Sequence, residues 1–306
     1  MKRPNKIAVL MGGPGEEREV SLKSGEAIKK ALNDNGYDAS SIVMDTELEG
    51  LIDKLLSVDL VFLGLHGSIG ENGTIQGFLD ALGIIYTGSG PLSSAICMDK
   101  NISKVIAVKN NILTPKWKLY NNKSIDHDEF NYPVVVKPNG QGSTVGLRIV
   151  HNKEELKPAL DFAFKYDSSI LVEEYIEGRE LTVMVLDGTA YPVCEIIPSN
   201  ELYDFECKYT AGMSKYICPS KLSSDQTQNI QKVSKDLFDL LKCENYSRAD
   251  FRMDNQNRFW FLEMNTLPGM TDTSLAPMSA LAGGISFNEL IDKIVGFNAH
   301  AVVNPN

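Results

Sequence analysis

The sequence lacks the side-chain patterns that hold a transition metal or a redox centre. Its five cysteines and four histidines are scattered over 306 residues, and no two cysteines stand in a Cys-x-x-Cys pair. We therefore expect reduced, mostly structural thiols and no zinc-type site.

Excess positive charge and long apolar runs are also missing. The formal net charge is -10, which disfavours nucleic acid and anionic membrane surfaces as partners. The apolar run at residues 7–11 is too short for a signal peptide, and no other run reaches the length of a membrane span. The sequence predicts a cytoplasmic protein in which a local cluster of cations must hold any anionic ligand.

The apolar pattern divides the chain into regions of different fold class. Short apolar runs alternate with helical periodicity up to about residue 95, which predicts an N-terminal parallel α/β domain. Asp99 is a plausible N-cap for a helix that reaches about Asn110. From Pro133 onwards the pattern is richer in strands and indicates α+β units. We predict an N-terminal domain at 1–95, a central subdomain at 96–178 and a C-terminal subdomain at 179–306.

A loop rich in glycine and hydroxyl side chains follows Lys137 at the end of a predicted strand. Glycines at 140, 142 and 146 let the backbone approach an anion closely, and Ser143 and Thr144 can donate hydrogen bonds. The loop can therefore fold over phosphates, although a plain connection between two strands fits equally well. It does not have the spacing of a P-loop.

The predicted C-terminal hairpin brings two carboxylates together. If its turn centres on Gln256 and Asn257, Asp250 lies opposite Glu263, and Arg248 lies opposite Asn265. Oxygen ligands of this kind suit Mg²⁺ that carries nucleotide phosphates. Surface ion pairs between the carboxylates and neighbouring arginines are the alternative.

Two further candidate sites follow buried strands near the N-terminus. Glycines at 12, 13 and 15 precede a helix with Glu17 in its first turn, where a carboxylate suits an ammonium group or simply complements the helix dipole. His66 ends a second buried strand before a glycine, a position that faces ligands in many α/β folds. A hydrogen-bonded structural histidine is the commoner case.

Taken in order, these segments resemble the D-alanine:D-alanine ligases of the ATP-grasp superfamily over nearly the whole chain. The similarity is carried by Gly12-Gly13, Leu65-His66-Gly67, Tyr86-Thr87-Gly88, Met98-Asp99-Lys100, Val136-Lys137-Pro138, Gly142-Ser143-Thr144, Lys208-Tyr209, Arg248-Ala249-Asp250 and Glu263-Met264-Asn265. The resemblance implies a three-domain ATP-grasp architecture and ATP-dependent ligation of two D-alanines through an acyl phosphate, for cell-wall peptidoglycan. It also implies a homodimer and two Mg²⁺ or Mn²⁺ ions, with a monovalent cation as a further candidate.

The resemblance assigns roles to individual residues. It places Lys100, Lys137, Glu173, Glu174, Tyr175, Ile176 and Glu180 around ATP, and Asp250, Glu263 and Asn265 around the metal ions. It places Glu17, Ser143, Tyr209, Arg248 and Gly269 in catalysis, and His66, Lys208, Ser274 and Leu275 beside the amino-acid substrates.

Two alternatives accompany this interpretation. D-alanine:D-lactate and D-alanine:D-serine ligases differ in the lid, for which residues 203–216 are the candidate, and there the pair Lys208-Tyr209 favours D-alanine. A non-catalytic ATP-grasp protein would usually have lost a metal ligand or the oxyanion arginine, and all of these are present.

Overall fold

The computed structural model describes residues 3–15, 17–45, 50–121, 130–199, 212–271 and 273–296. In these residues the strands form three sheets. None of the helices in this part of the chain is both long and apolar enough to cross a bilayer.

The N-terminal region has the strand and helix alternation that its apolar pattern predicts. Its elements are β1 (Lys6–Gly12), α1 (Arg18–Asp34), β2 (Asp38–Met44), α2 (Leu51–Leu56), β3 (Leu60–Leu63), α3 (Ser68–Glu71), α4 (Thr74–Ala81), α5 (Pro91–Met98) and α6 (Lys100–Lys109). The strands are parallel in the order β2-β1-β3. Every residue of β3 is buried, as in sheets that are covered on both faces.

The central region is a small antiparallel sheet with one helix. Its elements are β4 (Trp117–Tyr120), β5 (Val134–Pro138), β6 (Arg148–Val150), α7 (Lys153–Ala163) and β7 (Ile170–Glu174), with strand order β4-β7-β5-β6. Val134, Val136 and Val172 pack against apolar residues of α7. The opposite face of this sheet is therefore available to the C-terminal region.

The C-terminal region contains a larger antiparallel sheet. Its elements are β8 (Arg179–Leu186), β9 (Thr189–Ala190), β10 (Cys194–Pro198), β11 (Ser214–Ile217), α8 (Ser224–Leu240), β12 (Tyr246–Met253), β13 (Phe259–Asn265), α9 (Leu275–Ala282) and α10 (Phe287–Gly296). The strand order is β11-β10-β8-β12-β13, and β9 pairs with β8. The fold thus combines α/β and α+β parts, as the sequence predicts.

The hairpin of β12 and β13 has the predicted register in the half that carries Arg248 and Asp250. Arg248 pairs with Asn265 and Asp250 pairs with Glu263, which confirms the prediction for this half. A register shift after Asp250 makes Phe251 pair with Phe261, so the prediction is wrong nearer the turn. The cause is a β-bulge, in which an extra residue on one strand displaces the pairs beyond it.

Three helices pack outside the region in which they begin. Helix α10 adds Leu290, Ile291 and Ile294 to the apolar core of the N-terminal sheet. Residues of α5 and α6 pack into the core of the C-terminal sheet, with Cys97 and Ala107 buried there. We retain boundaries near residues 95 and 178 as a proposal. The polypeptide changes sheet at 175–178, whereas residue 95 lies within α5, between the N-terminal sheet and β4.

One expectation about the cysteines is wrong. Cys194 and Cys218 form a disulfide, with a Cα–Cα distance of 4.4 Å. Their neighbours Glu195 and Ile217 are paired across the antiparallel strands β10 and β11, which places the two cysteines opposite each other. A separation of 24 residues gives no sign of this pairing in the sequence. Cys97 and Cys243 are free and buried, as expected for structural thiols.

Gly178 joins the central sheet to the C-terminal sheet in a backbone conformation that other residues rarely adopt. Its φ is +142°, and a Cβ atom at this position would collide with the carbonyl oxygen of Met253. We expect Gly178→Ala to lower the free energy of unfolding by about 3 kcal/mol, since both strain and a backbone clash oppose it.

Gly36→Ala is the matched control, because Gly36 also has a positive φ of +83° but a Cβ there would meet open space. It should lower stability by only about 1 kcal/mol. Urea unfolding followed by circular dichroism measures both changes. Equal losses in the two variants would show that the contact with Met253 is unimportant.

Candidate functional site

A cavity of about 620 Å³ lies among the N-terminal helices, the glycine loop and the C-terminal hairpin. Many of the residues that the sequence singles out line it. They are Glu17, His66, Lys100, Ser143, Arg248, Glu263, Asn265, Gly269, Ser274 and Leu275. The structure therefore brings together residues that lie up to 258 positions apart in the sequence.

A second cleft lies between the central and C-terminal sheets. It is lined by the residues expected to bind a nucleotide: Lys100, Lys137, Glu173, Glu174, Tyr175, Ile176 and Glu180, with Arg248, Asp250 and Glu263 at one end. Lys100, Arg248 and Glu263 line both spaces. The cleft and the cavity thus meet at a group of two cations and one carboxylate. Lys208 and Tyr209 lie outside the described residues.

Strand β12 presents its charged side chains to this junction. The Arg248 guanidinium donates two hydrogen bonds to Asp250, at 2.9 Å to Oδ1 and 2.7 Å to Oδ2. Thr182 on β8 donates a third, at 2.6 Å to Oδ1. Asp250 is therefore held in one orientation by donors on two different strands.

Helix α6 brings a lysine to the same junction. Asp99 caps the helix by accepting a hydrogen bond from the backbone N–H of Ile102 at 2.9 Å, as the sequence predicts. The adjacent Lys100 donates to the carbonyl oxygen of Gln141 at 2.6 Å, and its Nζ lies 3.2 Å from Glu263. Lys100 therefore connects α6, the glycine loop and the hairpin.

The donor set at the junction fits a hard cation. Asp250 and Glu263 are cross-strand neighbours on β12 and β13, and Asn265 lies two residues further along β13. Within the part of the chain that the structure describes, no three His, Cys, Asp or Glu side chains cluster as a complete metal site. Two carboxylates and an amide match Mg²⁺, which usually takes its remaining ligands from water and substrate phosphates.

The glycine loop reaches the N-terminal domain. Ser143, whose φ is +48°, donates a short hydrogen bond to the carboxylate of Glu17 at the start of α1. A Cβ at Gly67 would collide with the same carboxylate, and a Cβ at Gly142 would lie 3.4 Å from it. Glu17 and Ser143, which the resemblance places together in catalysis, are therefore in contact, and the glycine at position 67 leaves room for the carboxylate.

His66 is buried, with both ring nitrogens in hydrogen bonds. Nδ1 lies 3.0 Å from the carbonyl oxygen of Leu267, which can only accept, so Nδ1 carries a proton. Nε2 lies 3.0 Å from the hydroxyl of Ser24. The histidine thus fixes the loop after β13 against helix α1, while its ring edge lines the cavity.

Glu71 is a cavity residue that the sequence interpretation missed. It is buried, its Oε1 lies 3.7 Å from Nδ1 of His66, and it lines the same cavity. Burial raises the pKa of this carboxyl and the nearby Glu17 raises it further, whereas His66 opposes the rise. Its place in the glycine-rich segment from Gly67 to Gly73 is the only sequence signal that could have pointed to it.

A buried ion triad supports Lys137. Glu173 on β7 lies 2.5 Å from Nζ of Lys137 and 2.7 Å from Nζ of Lys104. Burial lowers the pKa of Lys104 to about 8, although Glu173 acts in the opposite direction. The two lysines together hold the pKa of Glu173 low against its own burial. Lys104 lies on α6 and was also missed, because a lone lysine in a helix usually faces solvent.

The start of helix α9 forms the far wall of the cavity. Ser274 is its N-cap residue, and Leu275 begins the helix. Free backbone N–H groups at a helix start favour an anion. Gly269 is close by, since a Cβ there would lie 3.0 Å from Oγ of Ser274. This wall therefore suits a carboxylate.

The cleft between two antiparallel sheets, lined by lysines and by paired carboxylates on a hairpin, defines an ATP-grasp type of ligase fold. The chain matches the family descriptions "D-ala D-ala ligase C-terminus" at residues 106–296 and "D-ala D-ala ligase N-terminus" at residues 49–89. It therefore belongs to the D-alanine–D-alanine ligase family, which confirms the resemblance in the sequence.

Individual relatives agree with this membership. A D-alanine–D-alanine ligase of Geobacter sulfurreducens is 44% identical over 96% of this chain and 94% of its own length. The crystal structure of the Bacillus anthracis D-alanine–D-alanine ligase complexed with ATP has a TM-score of 0.85, with 37% identity over 96% of this chain and 97% of that one. The VanG D-Ala:D-Ser ligase of Enterococcus faecalis has a TM-score of 0.83 and 31% identity over 95% and 98%.

The buried triad gives a prediction for stability. Lys104 is fully buried, so Lys104→Met removes one cation and leaves Glu173 with a single ionic partner. We expect the free energy of unfolding to fall by about 3 kcal/mol, as when one member of a buried pair is lost.

Lys116→Met is its control. Lys116 is 86% exposed and lies 3.8 Å from Glu174, so its loss should leave the urea midpoint unchanged. A midpoint for Lys104→Met equal to that of the wild type would contradict the role assigned to the triad.

Proposed function

We propose that this protein joins two D-alanine molecules into D-alanyl-D-alanine at the expense of ATP, through a D-alanyl phosphate intermediate. The observation that carries the proposal is the junction at Lys100, Arg248 and Glu263, where the nucleotide cleft opens into the amino-acid cavity. A phosphoryl group at the end of the cleft would meet a carboxylate from the cavity at that point.

ATP would lie between the central and C-terminal sheets. Glu173, Glu174, Tyr175 and Ile176 would border the adenine, Glu180 would bind the ribose, and Lys137 and Lys100 would contact the phosphates. The buried Glu173 supports this role of Lys137, because it holds the lysine side chain by an ion pair at 2.5 Å.

Asp250, Glu263 and Asn265 would hold two divalent ions, Mg²⁺ or Mn²⁺, against the phosphates. Such ions neutralise phosphate charge and orient the transferred group when they are bound. Arg248 and Lys100 already contact Asp250 and Glu263 at 2.7 and 3.2 Å, which supports a site built for anions and their counter-ions together.

The first D-alanine would bind with its ammonium group at Glu17. Ser143 holds that carboxylate from the glycine loop, and His66 borders the same space. The substrate carboxylate would then point to the junction. One of its oxygens attacks the γ-phosphorus, the bond to the β–γ bridging oxygen breaks, and ADP leaves an acyl phosphate behind.

The second D-alanine would bind with its carboxylate at the start of α9. Ser274, the backbone N–H of Leu275 and Lys208 would hold it there. Its neutral amine attacks the acyl carbonyl, the amine loses a proton, and phosphate leaves. Arg248 and the backbone N–H of Gly269 would stabilise the oxyanion that forms between these steps.

The candidate lid is shorter than the sequence suggests, because residues 214–216 belong to strand β11, which pairs with β10. Tyr209 would complete the network with Glu17 and Ser143 when the remaining segment at 203–213 closes over the substrates. Closure would exclude water, which otherwise hydrolyses the acyl phosphate. The pair Lys208-Tyr209 supports D-alanine as the second substrate.

Phosphate release from purified protein, ATP and Mg²⁺ tests the proposal. D-Alanine, L-alanine, D-serine and D-lactate are compared, and mass spectrometry identifies the product. We expect release that requires D-alanine and yields the dipeptide. Greater use of D-serine or D-lactate would replace the proposed second substrate, and ATP binding without turnover would indicate a non-catalytic protein.

Asp250→Asn tests the metal site. The variant keeps the size of the side chain but removes its charge, so we expect kcat/KM to fall on the order of 100-fold and the Mg²⁺ concentration for half-maximal rate to rise. Replacement of Mg²⁺ by Mn²⁺, and titration of each ion, measure the same requirement.

Asp254→Asn is the control. Asp254 lies just past the end of β12 and bonds Arg258 and Trp260 in the turn, away from the cleft. Its substitution should leave the Mg²⁺ requirement unchanged. An unaltered Mg²⁺ requirement in Asp250→Asn would remove Asp250 from the metal site.

We also propose the homodimer and the monovalent-cation dependence that the family resemblance implies. Light scattering at two protein concentrations tests the first. Rates in KCl and in LiCl at equal ionic strength test the second.

A further inference from the structure

Arg252 is a partly buried cation in the nucleotide cleft that the mechanism above does not use. It follows Asp250 by two residues on β12, so the two side chains share the face that lines the cleft. Its side chain is 12% exposed. A guanidinium withdrawn this far from water must find acceptors in the protein.

Its acceptors belong to the segment that joins the two sheets and to the strand that follows it. Nε of Arg252 donates to the carbonyl oxygen of Ile176 at 3.0 Å. Nη1 donates to Oε2 of Glu180 at 3.3 Å, and Nη2 lies 3.5 Å from the hydroxyl of Tyr175. The guanidinium carbon is also 5.6 Å from the centre of the Tyr175 ring. One side chain therefore contacts three residues that line the nucleotide cleft.

The contacted segment has little other regular support. Strand β7 ends at Glu174 and β8 begins at Arg179, so residues 175–178 lie in neither strand. Gly178 presses against the backbone of Met253, directly after Arg252. Strand β12 thus holds this connection at two adjacent points, one by close packing and the other by the guanidinium.

The contact with Glu180 is built into the sheet. Arg252 and Glu180 are directly paired across β12 and β8, where side chains of opposite charge stabilise each other. The carboxylate is 16% exposed, so its orientation depends on its hydrogen bonds more than on water. A guanidinium that donates to one oxygen fixes the direction in which the other oxygen points.

We propose that Arg252 is a positioning residue for the nucleoside part of ATP, which sets both the adenine-side segment at Tyr175 and Ile176 and the ribose-binding carboxylate of Glu180. The inference rests on the proposed function, because it takes the nucleotide to lie in this cleft. The inference also makes Arg252 a specificity determinant. The preference for a ribose over a deoxyribose depends on Arg252, which acts through Glu180 and the adenine-side segment.

Arg252→Gln and Arg252→Lys test the inference, with ATP, 2′-deoxyATP and 3′-deoxyATP as nucleotides. Glutamine keeps a hydrogen-bond donor but removes the charge, whereas lysine keeps the charge and cannot reach three acceptors at once. Thermal unfolding verifies that each variant is folded at the assay temperature.

In Arg252→Gln we expect KM for ATP to rise about 10-fold or more, as when a charge-assisted hydrogen bond is lost. Of 2′-deoxyATP and 3′-deoxyATP, one will be used less well than the other by the wild type. The preference for ATP over that poorer analogue should fall about 5-fold in the variant, because Arg252 no longer orients the carboxylate of Glu180. The kcat value and KM for D-alanine should change by less than about 3-fold, since the junction is untouched. Arg252→Lys should lie between the wild type and Arg252→Gln in both nucleotide readouts.

Arg179→Gln is the matched control. Arg179 also forms a cross-strand pair on β8, with both distances to Glu195 at 2.7 Å, but it does not line the cleft. It should lose stability without any change in ribose preference. A variant at Arg252 that loses stability but keeps the wild-type KM for ATP and the wild-type ribose preference would overturn the inference. Wild-type values of both readouts in Arg252→Lys would also overturn it.

Nucleotide binding measured by calorimetry, without D-alanine, separates this inference from the proposed function. Tight ATP binding in the wild type with weaker binding in Arg252→Gln supports the role of Arg252 even if D-alanine is not turned over. Dipeptide synthesis by the wild type with equal ATP affinity in Arg252→Gln would retain the function and reject the role.

Discussion

The rest of the site depends on the alternation of side chains along strand β12, because successive side chains of a strand point to opposite faces of the sheet. Ala249, Phe251 and Met253 enter the apolar core beneath the sheet. Arg248 and Arg252, with Asp250 between them, point into the cleft. The same eight residues therefore anchor the sheet and supply the charges of the site, and a slip of one residue would exchange the two sets.

The charges at the junction also explain how an acidic protein can bind a polyphosphate. The net charge of -10 gives no general attraction for an anion. Lys100 and Arg248 concentrate positive charge where the cleft and the cavity meet, and Lys137 adds a third cation in the cleft. Each contacts a carboxylate in the structure, and these carboxylates keep the cations oriented and limit their mutual repulsion.

The contacts that could be predicted from the sequence are those that follow from the alternation of side chains along a strand and from the position of a turn. The hairpin register at Asp250 and Glu263 follows from strand periodicity and from the position of the turn, although the β-bulge made the same rule fail beyond Asp250. Prediction failed where tertiary packing alone brings residues together. Lys104 reaches Glu173 because α6 packs beside the central sheet, and no pattern in either segment predicts that meeting.

The arrangement divides the work between two parts of the site that meet only at the junction. The cleft that Arg252 lines would contact the nucleoside in the proposed function, whereas the start of α9 lies in the cavity on the other side of Lys100 and Arg248. A D-Ala:D-Ser ligase shares this fold with a TM-score of 0.83, so the backbone framework does not select the second substrate. That selection must come from the side chains of the cavity and its lid. In the proposed function, residues that line only the cleft can therefore change without altering which amino acids are joined, and residues that line only the cavity can change without altering how ATP is held.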